Sequence, residues 1–139
     1  MKLVLDTNFF VLHYFSEGDD SAKTRSILAR CRKIGNRGLV SAIVVGEFYA
    51  ISQKLAGRDV AEKAYNELMN SGLCIADVTP NIAKQSAIFR AKYNESIPWG
   101  DCIIAATASV LGADYIVSED PHFKKMAEIN ARTVQELRL

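Results

Sequence analysis

Four acidic side chains in this 139-residue chain stand where packing alone would not put them, and together they point to one chemistry. Asp6 separates two apolar runs, Leu3-Val4-Leu5 and Phe9-Phe10-Val11-Leu12. Glu47 lies among Val44, Val45 and Phe48, Asp101 opens the run CIIAATA, and Asp120 follows Val117 by three residues. Gathered in one apolar pocket, four carboxylates repel one another and require a cation. Their oxygens are hard donors suited to Mg²⁺ or Mn²⁺, and no His or Cys is placed to suggest zinc. Mg²⁺ keeps several waters and takes one or two protein carboxylates, so four acids serve one ion fully or two sparsely. Such ions activate water and stabilise charge on a phosphoryl oxygen, and two of them about 3.5–4 Å apart clamp both the attacking and leaving oxygens. Phosphodiester hydrolysis is the chemistry this set favours. Asn8 and Ser118, close to Asp6 and Asp120 in the chain, are neutral polar residues able to orient ligands or waters.

Taken singly, each acid has an ordinary explanation. Asp6 and Asp101 can cap helices. Glu47 can face solvent, and Asp120 in Ser118-Glu119-Asp120-Pro121 can be a turn residue. All four explanations have to hold at once to remove the site.

The acids converge only if the elements carrying them do. Lys2-Leu3-Val4-Leu5 reads as a strand and Asn8 to Phe15 as a short helix. Ser21 caps an amphipathic helix to Ile34, and GNRG at 35–38 stops it before a very short strand at Leu39-Val40. Ser41 then caps a helix from Ala42 to Ala56 with Gly57 as its stop, and Asp59 caps another to Asn70. LCIADV at 73–78 is a strand, and Thr79-Pro80 starts a helix to about Tyr93. NESIPWGD is a loop leading into a buried helix over Cys102 to Leu111, ended by Gly112. A strand at Tyr115 to Val117, a short helix near Phe123 to Ala127 and a weak strand near Ala131 to Val134 complete the chain. Strands alternate with helices throughout, the pattern of an α/β fold on a mostly parallel sheet of four or five strands. Residues 1–139 read as a single domain, without repeat or linker. Ligands in such folds bind at the carboxyl ends of the strands, where Asp6 and Asp120 fall.

Bulk properties set the surroundings. Seventeen basic and sixteen acidic side chains give a net charge of +1, so any polyanion partner has to be met by local clustering. No stretch reaches the length of a membrane span, and Asp6 and Asn8 break the only leader-like start. Three separated cysteines outside any CxxC pair fit reduced thiols in a cytoplasm better than a disulfide framework.

In this order and spacing, the residues resemble the PIN-domain family of metal-dependent ribonucleases. The likeness runs through Asp6-Thr7-Asn8 after an apolar strand, a lone helical Glu47, DCIIAATA from Asp101 to Ala108, and IVSEDPHF with Ser118, Asp120 and Phe123 in the family's places. It implies a PIN-like three-layer sandwich, and it makes Asp6, Glu47, Asp101 and Asp120 the catalytic metal-binding acids with Asn8 and Ser118 in support. The compact length is similar to VapC-type toxins, which implies an endoribonuclease acting on RNA with Mg²⁺ or Mn²⁺, a small antitoxin that blocks the site, and a homodimer. Pro121-His122 and Ile103 depart from the family's usual pattern.

RNA requires basic side chains near the rim, for which Arg37, Lys54, Arg58, Lys124 and Lys125 are candidates. Trp99 and Tyr49 are able to stack on bases, although a core position beneath the loop is the favoured reading of Trp99. His13 and His122 are isolated and are assigned no catalytic role. The apolar surplus at Phe9-Phe10-Val11-Leu12 and Phe48-Tyr49 suits a dimer or antitoxin surface, with a tight core as the simpler account. Other functions remain in view: a PIN nuclease of RNA processing, a non-catalytic interaction domain, or a phosphatase with Asp6 as nucleophile. The phosphatase requires a second Asp where this chain has Asn8.

Overall fold

The first strand, β1 (Lys2–Leu5), is apolar because it has neighbours on both edges and layers on both faces. The computed structural model describes residues 1–139. Its elements run β1, α1 (Thr7–Phe15), α2 (Asp19–Cys31), β2 (Arg37–Ser41), α3 (Ala42–Ala56), α4 (Arg58–Met69), β3 (Cys74–Ala76), α5 (Pro80–Lys92), α6 (Trp99–Leu111), β4 (Tyr115–Val117), a 3₁₀ turn (Phe123–Lys125) and β5 (Ala131–Arg132). The five strands form one sheet in the order β3-β2-β1-β4-β5, every pair parallel. Right-handed crossovers then put α1 to α4 on one face and α5 and α6 on the other, a three-layer α/β sandwich. Strand order reverses between β1 and β4, so their carboxyl ends flank the crevice where such folds bind ligands.

The core is one cluster of 29 buried residues. Phe9, Phe10 and Phe48 are at most 1% exposed and join α1 to α3, with the Phe10 and Phe48 rings 5.8 Å apart. Each such ring contributes about 1.5–3 kcal/mol by leaving water. The phenylalanine surplus is therefore core. Gly38 in β2 has a steric reason: a Cβ there would lie 2.5 Å from Leu73 Cδ2 and 3.0 Å from Cys31 Sγ.

Helix ends follow their signals where a side chain makes the cap. The Ser41 hydroxyl accepts from the Ile43 amide at 3.4 Å, and the Thr79 hydroxyl accepts from the Ile82 amide at 3.2 Å with Pro80 in the first turn. Three expectations need correction. Gly18, not Ser21, precedes α2, which ends at Cys31; Ser21 is buried and its hydroxyl accepts from Arg25 at 2.7 Å, while Ile34 is fully exposed beyond the helix. Gly57, not Asp59, caps α4; its φ of +86° ends α3 and begins α4 in one residue. Finally, α6 begins at Trp99, so WGD is its first turn rather than loop.

Candidate active site

Asp6 is the residue between β1 and α1, yet its side chain makes no cap hydrogen bond. Its Oδ2 instead accepts from the Ser118 hydroxyl, just past β4, at 2.6 Å. That hydroxyl oxygen also accepts from the Asn8 side-chain amide at 3.3 Å and the Asp120 amide at 2.9 Å, while Asn8 Oδ1 accepts from the Glu119 amide at 3.0 Å. Asn8 and Ser118 thus stitch the carboxyl ends of β1 and β4 together and set the angle of Asp6.

Glu47 reaches the same edge from α3, which starts there directly after β2. It is half-buried, its Oε1 accepts from the Thr7 hydroxyl at 2.8 Å, and its other oxygen rests against Gly100. A Cβ on Gly100 would come within 2.7 Å of Glu47 Oε2, so only glycine lets this carboxylate lie on the first turn of α6. The solvent-facing reading of Glu47 therefore falls. Asp101 sits in that first turn, where free amides favour negative charge, but Pro98 holds the cap position and makes no side-chain cap bond. Asp101 Oδ2 is buried without a hydrogen-bond partner. Asp120 does make the expected turn, its Oδ1 accepting from the His122 amide at 2.9 Å. The same carboxylate also faces Asp101.

Electrostatics register the crowding. Burial pushes Asp6 up to about 6 against the opposing hydrogen bond from Ser118, and the charges of Glu47 and Asp120 add to the rise. Burial pushes Asp101 up further, to about 8, helped by the adjacent Asp120 carboxyl and by the charges of Asp6 and Glu47. The structure thus brings the four acids within mutual electrostatic reach. An unpaired buried carboxylate oxygen, two carboxyls whose ionisation burial and neighbouring charge disfavour, and an oxygen-rich donor set all fit a divalent cation. Asp101, Asp120 and His122 have donor atoms within 4.8 Å of one another, close enough to share one ion, whereas Asp6 and Glu47 stand outside that group.

Two polar residues at this site were not singled out by sequence. Thr7 orients Glu47. His122, read as isolated, has Nδ1 2.8 Å from Asp120 Oδ1 and 3.1 Å from Asp101 Oδ2, because the turn after Asp120 folds it back. Its spacing of two residues from Asp120 was the available signal.

The basic candidates divide. Arg37 opens β2 opposite Lys2, at the amino edge, and is corrected away from the rim: strand direction alone puts it a full strand from the acids. Lys54 and Arg58 flank the α3–α4 junction, with Lys54 about 10 Å along the helix axis from Glu47. Lys124 and Lys125 stand on the 3₁₀ turn just after Asp120, and Lys124 pairs with Glu136 at 2.5 Å. Trp99 is corrected as well. It is 51% exposed, with the Arg90 guanidinium 5.2 Å from its ring centroid, while Ile97 fills the core position beneath the loop. The Tyr49 hydroxyl donates to Glu62 at 2.7 Å, which ties it to α4.

Comparison with known proteins adds to this geometry. Residues 3–129 match the family model of the PIN domain. No curated protein matches the chain. Among solved structures, it is similar to VapBC2 from Rickettsia felis bound to a DNA fragment from their promoter, at 20% identity over 96% of this chain and 98% of that one, TM-score 0.77. DNA-bound VapBC from Salmonella typhimurium aligns at 18% identity over 96% and 98%, TM-score 0.75. VapC20 of Mycobacterium tuberculosis, a Sarcin-Ricin loop cleaving toxin, aligns at 16% identity over 88% and 93%, TM-score 0.74. These identities speak for the fold.

Proposed function

This chain belongs to the PIN-domain family, and on that premise we propose that it is a divalent-metal-dependent endoribonuclease, the toxin of a type II toxin–antitoxin pair. Residues 1–139 are taken as a single PIN domain acting in the cytoplasm; no helix is long and apolar enough to cross a membrane. The observation that carries the reading is the convergence of Asp6, Glu47, Asp101 and Asp120, with Asp101 Oδ2 buried and unpaired.

The donor set supports Mg²⁺ or Mn²⁺, which Asp6, Asp101, Asp120 and Glu47 would hold. When bound, such an ion supplies an activated water and stabilises charge on the phosphoryl oxygens. The protein supplies the positioning. Ser118 and Asn8 hold Asp6 in one orientation, and Thr7 holds Glu47 against Gly100. The first turn of α6 presents free amides that moderate the negative charge there. We assign phosphate and base contacts to Lys125, two residues beyond Phe123 on the 3₁₀ turn, and to the Arg90–Trp99 pair, because the acids by themselves repel RNA.

The neighbouring structures that are VapBC complexes support a small antitoxin as partner, and we propose a homodimer as the assembly. The test is cleavage of a mixed RNA population by wild type, Asp6→Asn and Asp101→Asn, with Mg²⁺ and with chelator, each variant checked for native circular dichroism. Cleavage is expected only from wild type with metal. Undiminished cleavage by either variant, or in chelator, overturns the proposal.

A further inference from the structure

His122 is the one nitrogen donor among these carboxylates, and the proposed reaction does not use it. It follows Asp120 by two residues, across Pro121 and a turn closed by its own amide on Asp120 Oδ1 at 2.9 Å. Its Nδ1 lies 2.8 Å from Asp120 Oδ1 and 3.1 Å from Asp101 Oδ2, distances at which an imidazole ordinarily bonds one oxygen. Neither contact is aligned as a hydrogen bond, and both Nδ1 and Asp101 Oδ2 are buried without a partner. An ion pair explains the distances but not the angles. Donors that share a cation account for the close approach without a bond between them: their ligand atoms lie within 4.8 Å of one another, and an octahedral ion about 2.1 Å from each would leave neighbouring donors about 3.0 Å apart. The two separations lie on either side of that edge length. Asp101 is 9% exposed, so its unpaired oxygen is aimed into the site rather than at water.

We propose that His122 ligates the bound ion through Nδ1 beside Asp101 and Asp120, and that it shifts the site's preference from Mg²⁺ toward later transition-metal ions such as Co²⁺. The inference rests on the divalent-ion reading above. An all-oxygen cage suits Mg²⁺, whereas one imidazole in the set strengthens binding along the series from Mn²⁺ to Co²⁺ and Ni²⁺. The His122 side chain is 32% exposed, so replacing it opens no core cavity.

Metal-stripped wild type, His122→Asn, His122→Ala and Asp101→Asn are loaded with Mn²⁺ and read by pulsed electron paramagnetic resonance, with Co²⁺ and Mg²⁺ affinities from calorimetry. Wild type is expected to show imidazole nitrogen coupling to Mn²⁺. Both His122 variants are expected to lose it and to lose about tenfold or more in Co²⁺ affinity, with Mg²⁺ affinity held within about twofold. No nitrogen coupling in wild type, or equal losses for Co²⁺ and Mg²⁺, overturns the proposal. Asp101→Asn separates the two levels of inference. Unchanged Mn²⁺ binding in that variant overturns the divalent-ion reading itself, whereas lost binding there with no nitrogen signal in wild type removes His122 alone.

Discussion

The two edges of the sheet handle charge in opposite ways. At the amino edge, the chain's terminal ammonium donates to Gly35 O at 3.2 Å and Asn36 Oδ1 at 2.7 Å. Asp114 accepts from the Lys2 amide at 2.7 Å, and Lys2 Nζ donates to Leu111 O at 2.8 Å. Each of these groups has a partner of suitable sign. At the carboxyl edge four acids crowd together with a single imidazole, and one buried oxygen has no partner. The first edge serves folding, and the second holds a repulsion that bound protons or a cation relieve.

The same substitution at both edges is the strongest way to break that contrast. Asp101→Asn is expected to lower RNA cleavage about a thousandfold, in line with the several kcal/mol that metal-held charge stabilisation supplies. Next in size, Gly38→Ala pushes a methyl into Leu73 and Cys31 and is expected to cost about 1–3 kcal/mol in chemical denaturation, with activity per folded molecule unchanged. Gly100→Ala should do the reverse. Its Cβ meets the mobile end of Glu47, so cleavage falls about tenfold while stability changes by less than about 1 kcal/mol.

The pH dependence sharpens the contrast further. Asp6 is raised to about 6 and Asp101 to about 8 from an ordinary 3.8, so over that interval the folded chain holds protons that the unfolded chain has released. Stability of the metal-free protein is therefore greatest near the low end and falls as pH rises through 6 and then 8. Scanning calorimetry without metal should show Tm dropping by a few degrees from about pH 5 to about pH 8.5, and less in Asp101→Asn. Saturating Mg²⁺ should flatten the curve. The smallest expected effect is at the satisfied edge: Asp114→Asn should cost about 1 kcal/mol or less and leave cleavage unchanged.

The convergence of the acids was legible because strand and helix alternation dictates a parallel sheet, and a parallel sheet dictates which ends of its strands coincide. Ser41 and Thr79-Pro80 announced their helices because the cap is made by the residue's own side chain. The start of α2 was missed because Gly18 and the backbone make it, and Ile34 kept the helical period one turn past the point where the helix stops. Arg37 was misplaced because a charge at a strand start looks the same in sequence whichever edge it joins; only chain direction distinguishes them. Trp99 was assigned inward on size and hydrophobicity, but neighbouring Ile97 takes the core and leaves the indole to Arg90. His122 was passed over because its relation to Asp101 exists only after the loop following β4 has turned.

That indole has one more consequence. Trp99 is the chain's only tryptophan, half exposed, two residues before Asp101 and under a guanidinium. The protein thus carries a built-in optical reporter at the entrance to its acidic crevice. Whatever enters there, oligonucleotide or inhibitory peptide, changes the polarity and quenching around a lone fluorophore, and its arrival can be followed by emission without attaching a label.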